Sequence, residues 1–266
     1  MNTFKRVMVL GLGLCIGLFA QELTLQGSTT VLPIAQAAAE AYMEKHPDAD
    51  IMVRGGGSGT GIAALIDNAT DIAMASRPMK TKEVKQAREK GINPVGTVIA
   101  LDGIAVIVHR DNPLNEISLE DLKKIYTGNI SNWSNLGAKG KIVVISRDAA
   151  SGTFEVFNEM VLEGAKLTES ALMQASNLEI ARTVEQTPGG IGYVGLGYIS
   201  DKVKVLKVNG VTPSEQTVRN GSYPLARPLY LYTNGNPSGM KEEFINFVLS
   251  TAGQNIVRDN GFVPVK

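Results

Sequence analysis

From Glu22 to the C-terminus, short apolar runs alternate with amphipathic stretches, and this alternation limits the fold more than any other feature of the chain. Residues 22–26, 50–53, 71–76, 95–100, 104–109, 141–145, 191–194, 203–208 and 229–232 carry strand patterns, and residues 262–265 a short last one. Residues 31–45, 62–68, 81–90, 118–126, 154–161, 168–175, 178–186, 213–220, 239–249 and 252–259 carry helical ones. Strands that alternate with helices build α/β layers with largely parallel sheets.

Three of the strand-to-helix handovers share one local chemistry: Gly27-Ser28-Thr29-Thr30, Gly57-Ser58-Gly59-Thr60 and Ala150-Ser151-Gly152-Thr153. In open α/β sheets, ligands sit beyond the carboxyl ends of strands, where helices begin. A helix start offers an anion its unpaired N–H groups and its positive dipole end. Serine and threonine add hydroxyl donors, and glycine lets the backbone come close. Arg147, at the end of the run before Ser151, adds a fixed charge and a fork of donors. One such junction alone reads as a capped helix, with Ser151 an N-cap and Arg147 a solvated charge. Three of them with an arginine read as a cradle for a small oxyanion.

Bulk composition is compatible with such a site without selecting it. The 266 residues suffice for two domains, and 44% hydrophobic with 20% charged residues is ordinary globular material. The formal charge is zero and no basic block is present, which argues against a nucleic-acid partner. Residues 1–20 have the layout of a secretory signal peptide: Lys5 and Arg6, then an uncharged apolar run, then Ala20-Gln21 as a cleavage point. Cys15, the only cysteine, lies in this leader, and Leu14 before it does not suit a lipoprotein site. Without Lys5 and Arg6, 24 of the 26 basic residues face 26 acidic ones, a formal charge of −2. An anion must then be held by a local field.

Competing motifs fail on spacing. Gly56 to Gly61 has P-loop glycine spacing, but Ile62 stands where lysine is required. Residues 59–64 fit the loose dinucleotide pattern, yet the following helix is short and no acidic residue ends the next strand. Neither Ser58 nor Ser151 sits in a G-x-S-x-G elbow. His46 and His109 lack the carboxylate spacing of a zinc site. No cofactor or metal is expected.

The order of these pieces resembles the phosphate-binding proteins of bacterial ABC phosphate importers, the PstS family. The resemblance rests on the leader, Gly27-Ser28-Thr29-Thr30, the glycine-rich residues 54–61, residues 71–78, Ala100-Leu101-Asp102-Gly103, Arg147 to Thr153 and Ile191-Gly192-Tyr193. It implies an α/β fold of the periplasmic-binding-protein type II class: a two-lobed clamshell, each lobe a mostly parallel sheet flanked by helices. Residues 21–100 with 224–266 would form lobe one and residues 101–223 lobe two, with crossing strands near 101–105 and 223–228 as the hinge. It further implies that Ser28, Thr29, Thr30, Ser58, Gly59, Thr60, Ser76 and Arg77 meet phosphate from lobe one. Arg147, Ser151, Gly152 and Thr153 would meet it from lobe two. The expected partners are inorganic phosphate and the permease and ATPase subunits of an importer, with the carrier itself a secreted or periplasmic monomer. The alternatives are a carrier for another tetrahedral oxyanion and, in a different class, an enzyme acting on phosphoesters.

One departure stands out. Well-known members carry an aspartate just after the third strand, where this chain has Arg77. Phosphate near neutral pH keeps a proton and sulfate does not, so a carboxylate acceptor discriminates between them. Asp102 is the expected substitute acceptor, with a turn role before Gly103 as its alternative. Arg77 is expected to add charge at the cleft or to pair with Asp102. Asp148 is expected either to orient Arg147 or to lie at the surface.

Overall fold

Alternation in the first strand puts Leu23 and Leu25 in the core and leaves Glu22 exposed, and the rest of the fold grows outward from that strand. The computed structural model describes residues 21–266, so the leader assigned to residues 1–20 lies outside the described residues. The first part of the chain runs β1 (Gln21–Gly27), α1 (Leu32–Met43), β2 (Ala49–Gly55), α2 (Ser58–Ile66), β3 (Ile72–Ala75) and α3 (Thr81–Glu89). A long strand follows, β4 (Pro94–His109), then β5 (Glu116–Ile117) and α4 (Leu119–Tyr126). The middle continues with β6 (Val143–Arg147), α5 (Gly152–Phe157), β7 (Leu172–Gln174), α6 (Asn177–Gln186), β8 (Gly190–Gly195), β9 (Val203–Val208) and α7 (Glu215–Arg219). The chain ends with β10 (Ala226–Asn234), α8 (Met240–Leu249), α9 (Thr251–Asp259) and β11 (Val263–Pro264).

The main strand order is β2-β1-β3-β10-β4-β8-β6-β7, with β9 and β11 also on β4 and β5 on β9. β1 pairs parallel with β2 and β3, and β6 pairs parallel with β7 and β8. The antiparallel ladders between these strands all involve β4 or β10. The first part of β4 pairs with β10, and Ile104 to His109 pair with β8 and β9. One strand therefore belongs to two sheets and carries the chain from one to the other.

The packing divides in the same way. Leu23, Ile34, Ala38, Ile72, Leu229 and Phe244 are buried in one core. Val106, Leu122, Trp133, Phe157, Tyr193 and Leu206 are buried in another. The Trp133 indole N–H donates to Gly189 O at 3.0 Å, which satisfies its one polar group inside that core.

The structure departs from the sequence reading in four places. Residues 101–103 do not interrupt β4: Asp102 is held by Arg227 on the neighbouring strand, and Gly103 lies where a Cβ would meet Val218 at 2.9 Å. A paired carboxylate and a close approach of neighbouring side chains explain both residues without a turn. The segment 168–175 is not a helix but contains β7, whose Leu172 and Met173 are exposed, so no apolar helical face is buried there. The helix expected over 154–161 starts at Gly152, ends at Phe157 and continues as a wider turn over Asn158–Leu162. The helix expected from Ile62 begins at Ser58, which makes part of the glycine-rich run a first helical turn.

Candidate functional site

At each of the three junctions a serine hydroxyl first accepts a backbone N–H, and at Ser151 that bond is a helix cap. Gly27 has φ +141°, and a Cβ there would come within 2.2 Å of Met74 O, so only glycine ends β1 in this way. Ser28 Oγ then accepts the Thr30 and Val31 N–H groups at 3.1 and 3.4 Å. Ser151 Oγ accepts Phe154 N–H at 3.2 Å, and Ser58 Oγ accepts Ser76 N–H at 3.0 Å. A hydroxyl that accepts a backbone N–H still has its own proton to donate. The capping role and a ligand role are therefore compatible. Thr60 is the exception in this set: its hydroxyl donates to Gly56 O at 2.8 Å, back along its own helix.

What the sequence did not show is how closely the junctions meet. Thr30 Oγ1 lies 3.0 Å from Thr153 Oγ1, and Gly59 N–H donates to Ala150 O at 2.9 Å. Gly152 lies so near Ser58 and Ser76 that a Cβ on it would sit 2.3 Å and 2.9 Å from their Oγ atoms. Ser28, Thr29, Thr30, Ser58, Ser76, Ser151 and Thr153 are all buried in this region.

Arg147 supplies a cation at the end of β6. Its Nε donates to Gln174 O at 3.1 Å and its Nη2 to Ala175 O at 2.8 Å. Nη1 is buried and has no hydrogen-bond partner among the described residues. The side chain is 1% exposed, so bulk water does not reach that donor. Burial pushes the guanidinium below its usual range, Asp148 opposes the shift, and nearby Arg227 adds to it. Asp148 itself accepts Ala150 N–H at 2.9 Å, which shapes the turn before Ser151.

Arg227, on β10, is a second buried cation that sequence reasoning missed. Its Nε and Nη2 reach Asp102 Oδ2 at 3.0 and 2.8 Å. Nη2 also lies 3.0 Å from Thr153 Oγ1 and 3.3 Å from Thr30 Oγ1, and Nη1 donates to Ser76 O at 3.3 Å. One guanidinium thus touches two of the three junctions, through Thr30 and Thr153, and the end of β3 at Ser76 O. The usable signal was the arginine inside the predicted hinge segment.

Asn177 and Tyr198 were also missed. Asn177 Nδ2 donates to Thr29 Oγ1 at 3.1 Å and Thr30 Oγ1 at 3.0 Å, and its Oδ1 accepts Gly195 N–H. Burial pushes Tyr198 up to about 12, so its hydroxyl keeps the proton that it donates to Thr29 O. Asn177 begins α6 directly after β7 and the Ser176 cap. Reading 168–175 as a helix concealed this fourth strand-to-helix handover.

Two expectations require correction. Arg77 does not join the cleft residues and does not pair with Asp102. Its Nη1 and Nη2 bind Glu83 at 2.8 and 2.7 Å, and its Nε contacts Glu155. Those two carboxylates face it, whereas Asp102 is already taken by Arg227. Asp102 is fully buried, with Oδ1 accepting Leu196 N–H at 2.8 Å and Oδ2 accepting both Arg227 contacts. Burial pushes its carboxyl up, and Arg227 opposes that shift. It enters the site as the counter-ion that aims Arg227.

The cleft thus holds two buried guanidinium groups against one buried carboxylate, among hydroxyls that retain donors. Such a site is short of one negative charge and has donors in excess, which is what an oxyanion supplies and needs.

Comparison with known proteins agrees with this chemistry. A family model described as a PBP superfamily domain matches residues 19–252. The phosphate-binding protein PstS of Bacillus subtilis (strain 168) is 37% identical over 250 residues, covering 92% of this chain and 81% of that protein. A Clostridium perfringens protein crystallised with bound phosphate superposes with a TM-score of 0.86 at 37% identity, covering 92% of this chain and 100% of that one. An ABC-type phosphate transport receptor from Vibrio cholerae superposes with a TM-score of 0.75 at 28% identity, covering 91% and 99%. The chain belongs to the PstS family of phosphate-binding proteins, within the PBP superfamily.

Proposed function

We propose that this protein captures inorganic phosphate in the cleft and delivers it to an ABC-type permease. The observation that carries the reading is Arg147 Nη1, a buried charged donor without a protein partner in a cleft of net positive charge. Thr29, Thr30, Ser58 and Ser76 would meet the ligand from one lobe, and Arg147, Ser151, Gly152 and Thr153 from the other. Residues 21–100 with 224–266, and 101–223, are taken as the two lobes, a division supported by the change of partners along β4 and by two largely separate cores, with Leu225 and Val263 packing into the second. Only a closed cleft presents both sets of donors, so binding favours closure. The leader fits a periplasmic or secreted carrier that works as a monomer with the permease and ATPase subunits.

The way the hydroxyls are engaged supports binding without turnover. Ser58 and Ser151 accept backbone N–H groups and are not paired with an imidazole or a free carboxylate. His46 stacks on Tyr42 with ring centroids 4.2 Å apart, and His109 accepts Asp111 N–H at the end of β4. Calorimetry with phosphate, beside a phosphatase assay with p-nitrophenyl phosphate, tests the reading. Tight binding and no product are expected, and sustained turnover overturns the carrier.

A second reading, a carrier of tetrahedral oxyanions without regard to their proton, is favoured by one observation: both Asp102 oxygens are engaged within the protein. Titration with sulfate separates the two readings. Sulfate binding as tight as phosphate supports the second.

Closure itself can be tested at Gly152. The Gly152→Ala variant places a methyl group between lobes, against Ser58 and Ser76, in a helical turn that otherwise tolerates alanine. Opening the cleft relieves the clash, so the expected result is phosphate affinity reduced by roughly 10-fold or more with a melting temperature close to wild type. Calorimetry and thermal melts measure the two quantities, and unchanged affinity would mean that the ligand-bound cleft is wider than this one.

A further inference from the structure

The rim of the cleft carries a second group of charges that the anion site does not use. Arg77 follows β3, is 4% exposed, and donates through Nη1 to Pro78 O at 2.9 Å. Glu83, from α3, takes its two Nη groups in a bidentate pair. Glu155, from α5, meets it on another edge, contacting Nε and accepting from Nη2 at 3.4 Å. Lys80 Nζ lies 3.0 Å from Glu155 Oε2. Arg77, Lys80 and Glu83 lie in lobe one, and Glu155 lies in lobe two. Glu155 also stands two residues after Thr153, on the helix whose start carries Ser151, Gly152 and Thr153.

Two physical differences separate this rim from the cleft. Its charges, two cations and two carboxylates, balance, so it forms without an anion, whereas the cleft is short of one negative charge. In addition, Glu83 holds Arg77 from within lobe one, so the guanidinium stays oriented when the lobes part. Parting them separates Glu155 from both cations. The pairs of Arg77 with Glu83 and Glu155 are largely buried and are screened weakly by salt, whereas Lys80 is exposed.

We propose that Arg77 and Glu155 form a latch across the lobes, a positioning pair that holds α5 against lobe one and sets how long a captured anion stays. The proposal rests on the carrier reading for the identity of the anion, but not for the existence of the latch. It accounts for Arg77 at a position where a cleft residue was expected. An entering ligand meets the open form, and because the latch forms without an anion and closes only part of the unliganded population, its loss changes association little. Escape requires the latch to break, so dissociation carries most of the effect.

Stopped-flow measurement of phosphate association and dissociation on the whole protein tests this with Glu155→Gln, Arg77→Gln and the double variant. Glu155→Gln is expected to raise the dissociation rate by roughly 10-fold or more, with the association rate within about 3-fold of wild type. The double variant is expected to add little to either single change, since each removes the same pair. If Arg77→Gln does not fold, Glu155→Asp replaces it: it keeps the charge, shortens the reach, and is expected to give an intermediate dissociation rate. X-ray scattering of the unliganded proteins supplies a readout without phosphate, and Glu155→Gln is expected to be the more expanded. A wild-type dissociation rate in Glu155→Gln, or unliganded scattering identical to wild type, overturns the latch. If wild type fails to bind phosphate, the carrier reading fails, and the scattering comparison still decides the latch.

Discussion

Replacing Arg147 with glutamine lowers phosphate affinity by at least about 100-fold, roughly 3 kcal/mol, and leaves the unliganded protein as stable as wild type or more so. The two halves of this expectation have one cause. Nη1 of Arg147 is a buried donor without a protein partner, beside a second buried guanidinium that repels it. In the free protein, glutamine removes a cost of desolvation and repulsion. In the complex it removes a charge-assisted hydrogen bond and half of the cationic field. Stability and function therefore move in opposite directions, as they do where a site is held in an unfavourable state for its ligand. Lysine is not an adequate substitute, because one ammonium cannot keep the contacts to Gln174 O and Ala175 O while reaching the ligand. Calorimetry with phosphate and thermal melts of the free protein measure both halves. An affinity within a few-fold of wild type would remove Arg147 from the site.

The sequence made the cleft's walls visible and concealed much of its electrostatics. Ser28, Ser58 and Ser151 were legible because a hydroxyl before a helix is a local pattern, and each lies at such a start. Arg147 was legible because it ends the strand that leads into one of them. Arg227 was not: its role depends on register with Asp102 across two strands more than a hundred residues apart, and no local pattern encodes that pairing. Arg77 was misassigned for the opposite reason. Its place next to Ser76 suggested the cleft, but its side chain follows two carboxylates, Glu83 and Glu155, that only the folded chain brings to it. Asn177 was lost through an error in secondary structure, since a short edge strand with exposed Leu172 and Met173 has no alternation to recognise.

The division into strands and helices was more robust because it depends on burial repeated along each element. β1, α1 and the segments of β4 each bury one face or both, and each announces itself in the order of apolar residues. Strand β4 illustrates the limit of that signal. Asp102 and Gly103 look like a turn because a charge and a glycine usually end a strand. The strand continues because Arg227 neutralises the one and neighbouring side chains crowd the other. Local propensity lost to a tertiary pairing at the point where both sheets share a strand.

That pairing sets up the second large effect. Asp102→Asn leaves Arg227 buried without its counter-ion, a loss of about 3–5 kcal/mol that lowers the melting temperature of the unliganded protein by about 10 °C. Asparagine can still accept Leu196 N–H, so the change falls on Arg227 rather than on the turn after β8. The cleft then holds two cations and no carboxylate, and a bound anion supplies the charge that was removed. Saturating phosphate is therefore expected to raise the melting temperature of the variant by more than it raises that of wild type. Discrimination against sulfate is expected to stay as it is in wild type, because the Asp102 oxygens are engaged by Arg227 and Leu196. Thermal melts with phosphate and with sulfate decide each point separately. A smaller phosphate shift than wild type would place Arg227 outside the field of the ligand, and a loss of discrimination would make Asp102 the acceptor of the ligand's proton after all.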